Sequence, residues 1–109
     1  MPIRAGELKD RVTVERRTVT TDAHGGEQET WSVRGVRWAS VRYGTGQERR
    51  QAAQESASVP ATFRFRNDSM TRTIEPRDRL SFAGGLWDIA SAVPFERDAI
   101  DVTATRSID

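Results

Sequence analysis

The 109-residue chain contains no cysteine. That removes disulfide staples, thiolate nucleophiles and thiolate zinc sites together, and it fits synthesis in a reducing cytosol. Histidine is nearly absent as well, with His24 the single one. It has no partner at metal-ligand spacing and stands beside two glycines, so it reads as a turn residue rather than a base or ligand. No run approaches the eighteen or so apolar residues of a membrane-spanning helix. Met1 to Asp10 lacks the apolar stretch of a secretory signal, so none is expected. Charge of one sign is not in excess: 17 basic residues face 16 acidic ones, a formal net charge of +1. A bulk nucleic-acid binder is more lopsided, so any DNA contact should be local or transient. A nucleophile elbow, a P-loop and a dinucleotide fingerprint are all missing, as are internal repeats and low-complexity tracts. With 36% hydrophobic and 30% charged residues, the length suits one domain, residues 1–109, with a small core and a charged surface.

What is present is β-pattern. From Arg11 to Val19, Val12 and Val14 alternate with Thr13 and Glu15, a half-buried strand whose polar second half is not anchored in a core. Asp22-Ala23-His24-Gly25-Gly26 is a turn. Trp31 and Val33 lead into Val36, Trp38, Val41 and Tyr43, where the parity changes. A strand buried on both faces, or a bulge near Ala39, would account for that. In residues 59–66, Val59, Ala61, Phe63 and Phe65 share one face and Thr62, Arg64 and Arg66 the other. Asn67 to Arg79 is a polar connection with Met70 and Ile74 as plugs, and Pro76 argues against a central strand there. Arg79 to Val93 reads as a hairpin turning at Gly84-Gly85, Pro94 to Ala99 as a further turn, and Ile100, Val102 and Ala104 as a last strand. Residues 44–58 break the pattern. Gln, Glu, Arg, Ala and Ser there favour helix, but no large apolar residue would hold it on a core. The expected fold is all-β: a small β-barrel or sandwich of about six strands with one long mobile loop or short helix inserted.

Few residues offer chemistry. Glu27 and Glu29 could share a strand face as a catalytic or metal-binding pair requires, but nothing places a third group beside them, and solvated acids are the better reading. Trp31, Trp38 and Trp87 lie in or near strands, which assigns most of their area to the core and one of them to a subunit contact. A stacking platform for single-stranded nucleic acid would need arginines on an aromatic face, and the Arg64–Arg66 face of its own strand carries none. Arg49-Arg50, near Glu48 and Glu55, is a solvated charge run unless the loop faces a channel carrying DNA.

In order and spacing these elements resemble the phage head–tail joining proteins, the head-closure or stopper group of siphophages and related prophages. The resemblance rests on Ala5-Gly6-Glu7-Leu8-Lys9-Asp10-Arg11-Val12 leading into the first strand, on Asp22-Ala23-His24-Gly25-Gly26 followed by Glu29-Thr30-Trp31, and on Val36-Arg37-Trp38-Ala39-Ser40-Val41. It continues through the insertion opening at Gly46-Gln47-Glu48-Arg49, through Thr62-Phe63-Arg64-Phe65-Arg66, and through Asp78-Arg79-Leu80, Gly84-Gly85 and Trp87-Asp88-Ile89. It implies a structural virion protein with no catalytic residue, metal or cofactor, made in the bacterial host cytoplasm and placed at the head–tail interface. It implies a homo-oligomeric ring of bodies without long free edges. That ring sits beneath the portal and adaptor proteins, meets a tail-completion or tail-tube protein, touches packaged DNA in passing and touches no membrane. The inserted loop, with Gln47, Glu48, Arg49 and Arg50, would line the channel. Alternatives are an oligonucleotide-binding β-barrel, a small enzyme, and a neighbouring neck component such as a tail-completion protein.

Overall fold

The computed structural model describes residues 8–44 and 58–107. Among these residues six strands follow in chain order: β1 (Asp10–Thr21), β2 (Glu27–Tyr43), β3 (Ser58–Arg66), β4 (Asp78–Phe82), β5 (Gly85–Phe95) and β6 (Ala99–Ser107), with a 3-10 turn at Thr71–Thr73. Every pairing is antiparallel. The strands close into a barrel in the order β1-β2-β3-β6-β5-β4. The all-β expectation holds.

Alternation decides what lies inside. Val12, Val14, Phe63, Phe65, Leu80 and Val102 are fully buried. Phe63 meets Trp87 edge-on at 5.2 Å between ring centroids and Phe82 at 5.6 Å, the geometry that aromatic quadrupoles favour. Trp87 donates its indole N–H to the Phe82 carbonyl at 3.3 Å. The connection from Asn67 to Arg77 folds over one end of the barrel, and Met70 and Ile74 are buried as plugs. Gly35 makes room for the first of them: a Cβ there would stand 3.2 Å from the Met70 methyl carbon.

Three details differ from the sequence reading. The irregularity in β2 lies at Arg34, not near Ala39. Val14 pairs with Gly35 and Glu15 with Val33, which leaves Arg34 as the extra residue. Trp38 therefore faces outward and is 52% exposed, and of the three tryptophans only Trp87 belongs to the core. The β4–β5 hairpin turns at Ala83-Gly84, both with positive φ (53° and 76°), while Gly85 already pairs with Phe82. Two positive φ angles make the primed turn that matches strand twist. Finally, β5 runs on to Phe95.

Closure is partial along β1 and β2. The first strand pairs with β4 only over Thr13–Arg16, and β2 pairs with β3 only over Ala39–Tyr43. Beyond these ladders, Arg17–Thr21 and Glu27–Trp31 pair with each other alone. They form a two-stranded arm whose side chains are almost all exposed. The polar second half of β1 is thus part of a projection with free edges, and β2 keeps an unpaired edge on its β3 side as far as Trp38.

Candidate functional site

The arm ends in a turn built by one side chain. Asp22 Oδ1 accepts the backbone N–H groups of His24 (2.9 Å) and Gly26 (2.8 Å), and Gly25 takes φ +80°. His24 is exposed at this tip. Glu27 and Glu29, opposite Thr21 and Val19, are also exposed. Among the described residues, no group of three or more His, Asp or Glu side chains is placed to hold a metal.

At the foot of the arm the chemistry is denser. The Asp78 carboxylate is completely covered. Arg16 grips it with two N–H groups, Nε to Oδ1 at 2.7 Å and Nη2 to Oδ2 at 3.0 Å. The Glu75 N–H adds a third bond at 3.1 Å, and Arg34 Nη1 lies 3.9 Å away. Arg16 also donates to the Thr73 carbonyl and Arg34 to the Thr73 hydroxyl. The bulge residue Arg34 is thereby turned toward the plug segment, and the arm's base is tied to β4 and the 3-10 turn. The Asp78 hydrogen bond, opposed by partial burial, raises the Arg16 guanidinium further above its ordinary value. On the outer face Arg79 donates to Glu15 at 2.6 Å and lies 3.9 Å over the Trp31 ring.

A cleft of about 440 Å³ opens beside the plug, lined by Leu8, Arg37, Trp38, Arg66 and Asp68. Partial burial pushes the Asp68 carboxyl up. Hydrogen bonds from the Thr71 N–H, Arg37 and the Met70 N–H outweigh it and hold the group below the usual carboxylate range. Asp68 is thus a structural acceptor for the 3-10 turn, and among the described residues no nucleophile or second titrating group completes a catalytic set beside it. Next to the cleft, Arg64 makes a two-point pair with Asp101 at 2.8 and 3.0 Å and covers the Phe95 ring at 3.6 Å. Aromatic rings therefore do reach the outward-arginine face, Phe95 from β5 and Trp38 from β2. The sequence could not show this, because neither ring is on β3 and cross-strand neighbours follow from topology.

Gln47, Glu48, Arg49 and Arg50 lie outside the described residues. Sequence reasoning missed the Asp78 cluster, since an aspartate before a strand carries no local signature in a chain this charged. It also missed the use made of the arginines. Arg16, Arg34, Arg37, Arg64, Arg77 and Arg79 all hold carboxylates of this same chain. A phosphate-binding face needs uncommitted cations, and these six are spent on internal ties, while the exposed Arg11, Arg17 and Arg42 hold no carboxylate among the described residues. Val19, Val33, Val36, Trp38, Leu86 and Val93 are exposed as well, and apolar surface of this kind suits contact with protein.

Comparison with known proteins agrees. The family described as phage head completion protein matches residues 3–106. A chain in the virion of a native gene transfer agent particle is 25% identical with a TM-score of 0.72, over 94% of this chain and 97% of that one. The solution structure of protein SF1141 from Shigella flexneri 2a is 23% identical with a TM-score of 0.69, over 95% and 96%, and shares the fold. No curated protein matches.

Proposed function

Because the chain belongs to the phage head completion protein family, and so is a structural protein of the virion's head and neck region, we propose that it is a head-closure protein acting at the head–tail interface. Copies form a ring on the portal and adaptor, help retain packaged DNA and dock a tail-completion or tail-tube protein. The family match over residues 3–106 carries this reading. The likeness to a virion chain over 94% of the length supports it. The architecture suits the task. A closed barrel gives a rigid body, the arm reaches beyond it, and near-zero net charge limits repulsion between adjacent copies.

The insertion between β2 and β3, with Gln47, Glu48, Arg49 and Arg50, is proposed to line the channel, where the two arginines meet DNA phosphates or a neighbour's Glu48. Removing residues 47–54 tests this in particles. The expected result is full heads that leak DNA or fail to take tails, from a protein that still folds. Normal infectivity would overturn the channel role. Absence of the protein from purified necks would overturn the neck assignment.

A further inference from the structure

Alternation sorts the side chains of β1, β2 and β3 between the inside and the outside of the barrel. With Val12 and Val14 buried, Lys9 and Arg11 are exposed on the outer side. Arg11 stands opposite Trp38. Ala39 is buried, so Trp38, Ser40 and Arg42 share the outer side of β2. Phe63 and Phe65 are buried, so Thr62, Arg64 and Arg66 share that of β3. No acid stands at an outward position from Lys9 to Thr13, from Val36 to Arg42 or from Thr62 to Arg66.

Two cations at this face are already held, Arg64 by Asp101 and Arg37 by Asp68. Lys9, Arg11, Arg42 and Arg66 hold no carboxylate among the described residues. At the rim, Asn67 is bonded to Arg72, Arg97 and Asp98. With Glu96 the rim carries two charges of each sign, so it does not reverse the positive sign of the face.

The cleft of about 440 Å³ opens on this basic surface. Leu8 and Trp38 give it an apolar wall and Arg66 a free guanidinium. Trp38 leaves 52% of its surface in water, and Arg11 lies 5.5 Å over its ring. An open tryptophan flanked by spare arginines is the composition that anchors protein interfaces.

We propose that this cleft receives an acidic segment of another virion polypeptide, with one large apolar side chain against Leu8 and Trp38 and flanking carboxylates on Arg11 and Arg66. A guanidinium meets a carboxylate through two parallel hydrogen bonds. Nucleic acid fits the site less well. A base stacked on Trp38 would have to displace Arg11, and phosphates would leave the Leu8–Trp38 wall in water. The inference rests on the virion reading above only for where the partner is found.

The site is tested in solution without that reading. A displayed library of random peptides is selected on the purified protein. Enriched peptides should be acidic and carry a large apolar residue. Arg66→Glu should weaken them at least tenfold with the thermal transition in place. Arg17→Glu, the same charge change on the arm, should leave binding unaltered, and added salt should weaken it. Failure to enrich any peptide, enrichment of neutral or basic ones, or equal effects of the two variants would overturn the proposal. The partner is then sought in particles carrying a photo-crosslinking benzoylphenylalanine in place of Ser40. Light should join it to an acid-rich stretch of a different virion polypeptide. A link to DNA or to a second copy of this chain would overturn the proposal, as would particles that contain the protein and give no link. Absence of the protein from particles refutes the virion reading and the source of the partner, while the peptide selection still decides the site.

Discussion

Burying a carboxylate costs free energy unless charge and hydrogen bonds replace the water it loses, and at Asp78 they come from Arg16, Arg34 and the Glu75 N–H. Asp78→Ala removes the acceptor and leaves two arginines facing a dry site. It is expected to cost about 3–5 kcal/mol in urea unfolding, as breaking a buried pair from one side does. Arg16→Met added to it should recover part of that loss. Asp68 sets an acid limb. Its folded carboxyl is held below the usual range, so its contribution is complete above the unfolded value of about 3.9 and is lost as pH falls through the lower folded value. The urea midpoint should be flat across neutral pH and drop below about pH 4, with a shallower drop in Asp68→Asn. In the core, Phe63→Ala should cost about 3–5 kcal/mol, since Phe63 is fully buried against Phe82 and Trp87. Phe63 was legible because strict alternation survives across all of β3. The sequence assigns Trp38 to the core only because it lies in a strand, and strand membership does not say which face a residue takes; it is 52% exposed.

At the scale of elements, the strands were legible and their irregularities were not. A bulge inserts one ordinary residue, and Arg34 looks like any polar strand position until its partner is known. Deleting Arg34 should turn Trp31 away from Arg79. Arg79→Ala should then change the tryptophan emission of the parent but not that of the deletion. The hairpin turn shows the same limit from the other side. The glycine pair announced a primed turn, but the ladder from Phe82 to Gly85 puts Ala83 in the left-handed region at φ 53°. That conformation strains an alanine by about 1 kcal/mol and suits asparagine. Ala83→Asn should raise stability by up to about that amount, read as a higher urea midpoint with unchanged slope. The arm was half legible, since the loss of apolar alternation after Val14 marked where β1 leaves the core.

On the scale of the whole molecule, the 52 × 38 × 22 Å envelope reflects a body plus a projection. Its long dimension is close to the length of β2 alone, 17 residues at about 3.3 Å each. Strand count and spacing could not reveal which edges join, and the joining edges set the pace of folding. Thr13–Arg16 must find Asp78–Ser81, and the pair that fastens this seam, Arg16 with Asp78, is separated by 62 positions. Every other ladder except that of β3 with β6 joins strands consecutive in the chain. The seam between β1 and β4 therefore forms late, after the entropy of a long loop has been lost. Refolding after denaturant dilution should take milliseconds to seconds, the range of barrels dominated by distant pairings. Until the seam shuts, β1 and β4 are open edges able to pair with another chain. The subunit is thus most prone to misassociation during its own synthesis, and higher temperature or expression level should raise the aggregated fraction before it touches the folded one.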